Sequence, residues 1–380
     1  MTATMPDRRA GPFERLAAWL KLRRDRLVAD PAFQRFSASF PLTRGTAHRH
    51  ASDLFDLCAG FVYSQVLFAC VRLDLFAMLA RGPMPLSDIA ARTRLSIDAA
   101  DRLVRAAIAL GLLEWRGDEV GLGLKGAALT GNPGALAMVE HHAMLYADLA
   151  DPIALLRGEA PPSHLRRFWA YGEGGSAEAS GAAADYTALM ARSQALVADD
   201  ILDAYPVSRH RVVLDVGGGN GTFLAALHRR APSAELHLFD LPAVTAHAAR
   251  NPALPESTVI HGGRFPDDPL PTGMDLVTLV RVVHDHDDAV VRGLLARVHE
   301  ALAPGGSVVI AEPMAESAAV APMADAYFGF YLLAMGQGRA RSPDTLMAML
   351  TAAGFEAPRR IATRRPLFAG IVTATRRTAV

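Results

Sequence analysis

With 380 residues and a mass of 40.5 kDa, the chain exceeds the roughly 250 to 300 residues that one hydrophobic core usually serves, so two domains are expected. Lys plus Arg and Asp plus Glu both number 39, 51% of residues are hydrophobic and 21% are charged, which argues against a disordered or fibrous chain and gives no global charge for nucleic acid. The two cysteines, Cys58 and Cys70, rule out a disulfide-stapled module and fit a reducing cytoplasmic compartment.

The first residues lack the apolar core and small-residue cleavage site of a signal peptide, so export is not expected. Charge is uneven along the chain: residues 1–50 hold ten Lys or Arg against four acids. Phe13, Leu16, Trp19, Leu20 and Leu27 punctuate this basic stretch at roughly helical spacing. Such a helix can lie on an anionic membrane surface as a peripheral contact, or pack on its own domain or a partner subunit. The most apolar run, Leu57 to Leu79, is broken by Ser64, Gln65, Arg72 and Asp74 and is expected to be a core helix, not a membrane span.

From Tyr63 to Leu113 the periodicity predicts three helices: one through Phe68, Leu73, Phe76 and Leu79, a short one opened by Ser87, and one opened by Ser96. Gly117 and Asp118 then separate two short runs containing Leu113, Trp115, Val120 and Leu122, a hairpin signal. Three helices and a hairpin form a winged-helix pattern. A DNA reader needs a basic third helix, whereas this one offers only Arg102 and Arg105, so a structural or dimer-forming role is preferred over nucleic acid. The stretch GEGGSAEASG, residues 172–181, reads as a loop near a boundary that divides the chain into residues 1–175 and 176–380.

Beyond Arg211, apolar runs HRVVLDV, ELHLFD, STVIHG, MDLVTLVRVV and GSVVIAEP alternate with helical segments, the signature of a parallel sheet covered on both faces. A helix in SPDTLMAMLTAAGF precedes a final strand in RRPLFAGIVTATR. In VVLDVGGGNG the first strand ends in Asp215 and runs into Gly217, Gly219 and Gly221, at the sheet edge where ligands of such folds bind. Glycines there admit a ligand close to the backbone, and Asp215 can order the loop or accept from a cationic amine. The nicotinamide-dinucleotide fingerprint fails on register, since its third glycine falls on Thr222. Asp240, at the tip of the next strand, is placed to accept both ribose hydroxyls of a nucleoside, which points to S-adenosylmethionine; its plain alternative is a turn former before Pro242. His284 in RVVHDHDD leaves the same edge, where an imidazole can serve as a base. A metal site at His284, His286 and Asp287 is the rival there, disfavoured for want of a fourth ligand at fitting spacing. Glu312 ends another strand and can hold the tautomer of that imidazole.

VVLDVGGGNGTF, HLFDLPAV, HGGRF, RVVHDHDD, ALAPGGSVVIAEP and TLMAMLTAAGF resemble, in this order, the class I S-adenosylmethionine-dependent O-methyltransferases that act on small molecules. RDRLVADPAFQRFSASFPLT and LFDLCAGFVYSQVLFACVRLDLF are similar to the carotenoid O-methyltransferases of phototrophic bacteria. The resemblance implies an α/β fold: a Rossmann-like, doubly wound methyltransferase domain preceded by a mainly helical winged-helix dimerisation domain. It further implies a homodimer, S-adenosylmethionine as cofactor and a hydrophobic acceptor, the 1-hydroxyl of an acyclic carotenoid or else a phenolic or polyketide hydroxyl. Asp215, Gly217, Gly219, Asp240, Leu241, Arg264, Phe265 and Arg281 would hold the cofactor, His284 would be the catalytic base and Glu312 its orienting carboxylate. Three departures accompany it. Arg264 and Phe265 replace an acid and an apolar residue near the adenine, and His286 replaces a tryptophan. Ala340 replaces a second acidic helper, leaving His284 with one carboxylate partner. HHAMLYADLADP and Met190 match substrate-pocket helices. A nicotinamide oxidoreductase and a winged-helix DNA regulator stay as remote alternatives.

Overall fold

The computed structural model describes residues 11–169, 194, 197–265, 267–315, 322–366 and 369–378. The expected boundary at 175/176, the loop at 172–181 and Met190 lie outside them. The N-terminal part is helical: α1 (Pro12–Ala29), α2 (Pro31–Ser39), α3 (Arg44–Arg72), α4 (Leu75–Leu79), α5 (Leu86–Thr93) and α6 (Ile97–Ala109). The first predicted helix is two, α3 and α4, because Asp74 adopts a left-handed backbone at φ 56° between them. Ser96 caps α6 by accepting from the Ala99 N–H, as read from the sequence, whereas α5 starts two residues earlier than expected, with Pro85 and not Ser87 at its N-cap. The hairpin is β2 (Leu113–Arg116) with β3 (Glu119–Leu122), joined by the short β1 (Met84–Pro85).

Cys70, Leu75, Phe76, Ile89, Val104 and Val120 form the core of this winged unit. The expectation that the apolar run Leu57 to Leu79 is a core helix holds for its second half, where Cys70, Leu75, Phe76 and Leu79 are buried, and fails for its first. Leu54, Phe55, Leu57, Phe61 and Val62 of α3 all face outward, and only 6% of its most apolar 18-residue window is buried. By length and composition α3 could cross a membrane; among the described residues of one chain, nothing covers Leu54, Phe55, Leu57 and Phe61. On α6, Arg102 and Arg105 pair with Asp98 and Asp101 one turn away, so both cations of that helix are already matched.

Helices α7 (Leu124–Thr130), α8 (Pro133–Asp148), α9 (Pro152–Arg157) and α10 (His164–Trp169) lead to the second unit. There β4 (Val212–Val216), β5 (Glu235–Asp240), β6 (Val259–Gly262), β7 (Met274–Val280), β8 (Leu302–Glu312), β9 (Phe355–Ile361) and β10 (Gly370–Arg376) make a seven-stranded sheet in the order β6-β5-β4-β7-β8-β10-β9. The first five are parallel and β10 runs antiparallel to both neighbours. The sheet is thus mixed where a parallel one was expected, and β9 is an unpredicted strand: FEAPRRI buries only Phe355 fully, so it carries little periodic signal.

One sheet face packs on α13 (Asp288–Ala301) and α15 (Pro343–Ala352) through Val291, Leu294, Leu295, Val298, Leu346 and Leu350. The other packs on α11 (Thr222–Arg230), α12 (Pro242–Ala248) and the helix at 197–204 through Phe223, Leu224, Leu227, Ala248, Val197 and Ile201. Each strand of the middle is apolar on both sides, which is what a sheet covered on two faces requires. The reversal of strand order lies between β4 and β7, and the carboxyl ends of these strands are where ligands of such sheets bind. Over that edge, α14 (Gly329–Met335) packs Tyr331, Leu332 and Met335 against Leu145 of α8 and Leu165 of α10, joining the helical half to the rim of the sheet.

Candidate active site

The glycine loop turns on three left-handed residues, Gly217 at φ 71°, Gly219 at 60° and Gly221 at 80°. Their reasons differ. A Cβ on Gly217 would stand 2.6 Å from Val282, and one on Gly221 2.8 Å from Leu254, so these two are glycine because protein fills the space. Gly219 alone opens on free space, with nothing within 4 Å of its Cβ position. Of the three, Gly219 is thus the one whose side-chain direction leaves room for a ligand.

Asp240 ties the loop to β5. Its Oδ2 accepts from the Gly219 N–H at 2.8 Å and its Oδ1 from the Leu241 N–H at 2.7 Å, leaving further lone pairs at the carboxyl edge of the sheet. Burial raises its pKa to about 6 against the opposing effect of those two N–H donors. Asp215 is 1% exposed; Thr278 donates to its Oδ1 at 2.6 Å, while Oδ2 has no partner among the described residues. Burial, with a smaller push from Asp240, raises Asp215 to about 7. An unpartnered buried acceptor, an open glycine and a half-buried carboxylate at one sheet edge fit a cationic nucleoside such as S-adenosylmethionine: Asp215 suits an ammonium or sulfonium, Asp240 a pair of hydroxyls.

His284 leaves β7 on a 3-10 turn, Val283–Asp285, preceded by Arg281 in a left-handed backbone at φ 58°. Glu312 at the end of β8 is fully buried, and its Oε2 accepts from the His284 backbone N–H at 3.0 Å and lies 3.3 Å from Nδ1. The expected pairing of base and carboxylate is therefore assembled by adjacent strand ends. The expectation of a single carboxylate partner is corrected: Asp285 Oδ1 stands 3.1 Å from His284 Nε2. Burial is the largest influence on His284 and opposes its charge, but Asp285 and Glu312 together outweigh it and raise the pKa, with Arg281 pulling the other way. Asp285 was missed because a carboxylate next in sequence to a histidine reads as a helix cap; the signal was the HD pair itself.

The three side chains weighed as metal ligands have other partners, since Asp287 accepts from the Gly338 N–H at 3.0 Å and His286 packs edge-on to Phe265 at 5.2 Å. Burial and neighbouring positive charge from His284 and Arg341 lower His286 to about 4, so it stays a neutral aromatic, as the tryptophan it replaces would be. Phe265 lies against the sheet core, while Arg264 is exposed and its backbone N–H donates to Asp268. Arg281 makes itself felt electrostatically at His284, Asp285 and Tyr327, which sets its charge beside the base.

Two further groups escaped sequence reading. Arg341, next to the Ala340 that lacks an acid, is 2% exposed and donates to Val283 O at 2.8 Å, His286 O at 2.7 Å and Asp288 Oδ1 at 2.7 Å; with the Arg339 N–H on His284 O at 2.9 Å, it straps the turn that carries the base. An aromatic wall follows from the π-helical turn Pro322–Phe328 and α14. Phe328 meets His284 edge-on at 5.8 Å, and Tyr327 and Tyr331 bond to Nε2 of His142 and His141, each at 2.8 Å. Burial lowers both histidines, His141 to about 4, so they are neutral partners. The HHAMLYADLADP segment thus does reach the base's surroundings; the YFGFY run was the available signal for the other half of the wall.

Residues 146–356 match the O-methyltransferase domain family and residues 55–124 the O-methyltransferase dimerisation domain. The chain is 43% identical over 357 residues to a demethylspheroidene O-methyltransferase of Cereibacter sphaeroides, covering 92% of this chain and 94% of that protein. It is 44% identical over 338 residues to the corresponding protein of Rhodobacter capsulatus, covering 88% and 85%. Human N-acetylserotonin methyltransferase, solved in complex with S-adenosylmethionine, shares the fold with a TM-score of 0.71 at 24% identity, covering 87% of this chain and 98% of that one. The chain belongs to the S-adenosylmethionine-dependent O-methyltransferase family.

Proposed function

We propose that this enzyme methylates a hydroxyl of an apolar small molecule, the 1-hydroxyl of an acyclic carotenoid, with His284 as the general base, Glu312 as its orienting partner and Asp215, Gly217, Gly219, Asp240, Leu241, Phe265 and Arg281 around the cofactor. The observation that carries the chemistry is the His284–Glu312 pair at the carboxyl edge of the sheet, facing the aromatic wall. What supports the acceptor is that the two relatives above 40% identity are demethylspheroidene O-methyltransferases.

Bound S-adenosylmethionine supplies a methyl group activated by a sulfonium. The chain's part is to place the acceptor oxygen in line with it, where proximity does much of the work, and to take a proton. An aliphatic hydroxyl is too weak an acid to ionise first, so its O–H pair must stay on oxygen as the oxygen–carbon bond forms, the carbon–sulfur pair leaves with sulfur, and the proton passes to the imidazole. Glu312 then steadies the imidazolium. Phe328, Tyr327 and Tyr331 give the acceptor an apolar surface with its polar atoms already satisfied.

The test is incubation with labelled S-adenosylmethionine and a panel of hydroxylated acyclic carotenoids, phenols and polyketides. A labelled carotenoid methyl ether is expected; label on the phenols alone would overturn the acceptor. His284→Ala should lower turnover by about 10² to 10⁴, the usual worth of a general base, and spare cofactor affinity. Wild-type turnover would remove His284 from its role.

We also propose that residues 1–175 build a homodimer and 176–380 the transferase unit, and that this cytoplasmic enzyme touches an anionic membrane through α1. No residue of α1 is buried; it exposes Phe13, Leu16, Leu20 and Leu27, and carries five Lys or Arg against Glu14 and Asp25, a balance suited to acidic headgroups. Vesicles rich in phosphatidylglycerol should float the protein, and a triple Arg23→Glu, Arg24→Glu, Arg26→Glu variant should stay behind. Equal flotation by the variant would defeat the idea, as would a wild type that ignores the vesicles.

A further inference from the structure

One contact of the base is not explained by its pairing with Glu312. Nδ1 faces Glu312, so Nε2 is the nitrogen left to receive the acceptor's proton, yet Asp285 Oδ1 stands 3.1 Å from it. Asp285 is 6% exposed and His284 5%, so water does not mediate between them. A neutral imidazole has one N–H and can donate to only one carboxylate. Only Glu312 is hydrogen-bonded to the ring, whereas Asp285 Oδ1 makes a charge contact at Nε2; a carboxylate held that close favours the imidazolium, in which Nε2 carries a proton. In that form Nε2 offers no lone pair to an incoming hydroxyl.

We propose that Asp285 is a positioning residue that caps the proton-accepting Nε2 of His284 and yields it to the acceptor hydroxyl. The inference rests on the assignment of His284 as the base. When the cap opens, the Nε2 proton leaves to solvent. The ring is left neutral, with its Nδ1–H donated to Glu312 and Nε2 turned to the acceptor. Asp285 thereby sets the pH at which the base becomes competent, because its negative charge favours the imidazolium. The other groups facing His284 are accounted for. Glu312 of β8 acts in the same sense as Asp285, Arg281 opposes it, and His286 stays neutral. Tyr327 of the π turn has its hydroxyl pushed up by burial, and Arg341 is matched by Asp288. Ala340, where the family's second acid is absent, adds no charge, so Asp285 stands as the second carboxylate on this base.

The test is the pH dependence of turnover at saturating S-adenosylmethionine for wild type, Asp285→Asn and Asp285→Ala, on whichever acceptor the wild type methylates. S-adenosylhomocysteine binding by calorimetry serves as the check on folding. Loss of a neighbouring negative charge should move the acid limb to lower pH by about one unit or more, with S-adenosylhomocysteine binding unchanged. A limb that coincides with wild type in Asp285→Asn, with turnover lowered evenly, would reduce Asp285 to packing. Abolished turnover at every pH with binding intact would make Asp285 itself the proton acceptor and also overturn the cap. Should Asp285→Ala fail to fold, the isosteric Asn variant decides. Full activity in His284→Ala would instead sink the base assignment, a result distinct from an unmoved limb.

Discussion

Asp215 and Asp240 end neighbouring parallel strands, and the same burial that shapes the cofactor site also makes it sensitive to pH. Their pKa values are raised to about 7 and about 6, so near pH 6 both carry protons part of the time. A cationic ligand favours the ionised carboxylates, so binding near pH 6 must release protons, and affinity must rise with pH until it levels off above about 7. Calorimetry in two buffers of different ionisation enthalpy should show that release. Asp215→Asn should flatten the part of the curve nearest pH 7. Asp240→Ala should weaken S-adenosylmethionine binding by about 1.5 to 3 kcal/mol, the worth of a charge-assisted hydrogen bond, and it also frees the Gly219 and Leu241 N–H groups it now holds. An unchanged dissociation constant would leave Asp240 as a loop tie alone.

The turn after β7 has few contacts of its own and is held from outside. Gly338, Arg339 and Arg341, on the segment before α15, reach Asp287, His284 O, Val283 O and His286 O. Removing the Arg341 guanidinium would leave buried carbonyls without donors, so Arg341→Ala should cost about 3 kcal/mol of stability. Its effect on turnover should exceed its effect on cofactor affinity, since β4 and the glycine loop are untouched. Arg341→Lys should rescue little, because one ammonium lacks the planar fork that serves three acceptors at once. Denaturant midpoints and kinetics on the same samples check both statements, and equal losses in turnover and cofactor binding would argue that the strap supports the whole site. The strap was illegible in GRARS: a buried arginine looks like a surface one until its acceptors, more than fifty residues earlier, are brought beside it.

A single copy leaves α3 with Leu57 80% and Phe61 73% exposed, neighbouring apolar side chains of the kind that mark an interaction surface, and the dimerisation family match begins at residue 55. Self-association through this face should give a light-scattering mass of twice 40.5 kDa. A Leu57→Asp, Phe61→Asp double variant should halve it while leaving the S-adenosylhomocysteine site of each chain intact. A wild-type monomer at micromolar concentration would count against the homodimer and leave α3 open to some other cover.

The βα alternation, Asp215, Asp240, His284 and Glu312 were readable in order because each is tied to a local pattern: an apolar strand of period set by burial on both faces, then a polar residue at its end, where the chain must leave the sheet. The cap of α6 and the hairpin at Gly117 were readable for the same reason, since turn and cap chemistry act within a few residues. What only tertiary structure decided has the opposite character. The antiparallel β10 and the weakly patterned β9 are fixed by which edge of the sheet remains open. The outward face of α3 depends on what packs against it, as periodicity reports that a face is apolar and not what covers it. Gly217 and Gly221 are glycine because of Val282 and Leu254, the Tyr327 and Tyr331 hydroxyls are satisfied by histidines some 190 residues away, and Arg341 works through acceptors on another segment. Sequence alone determined the chemistry each strand end can offer; the packing of distant segments decided which nitrogen of His284 is held, by what, and at which pH it can act.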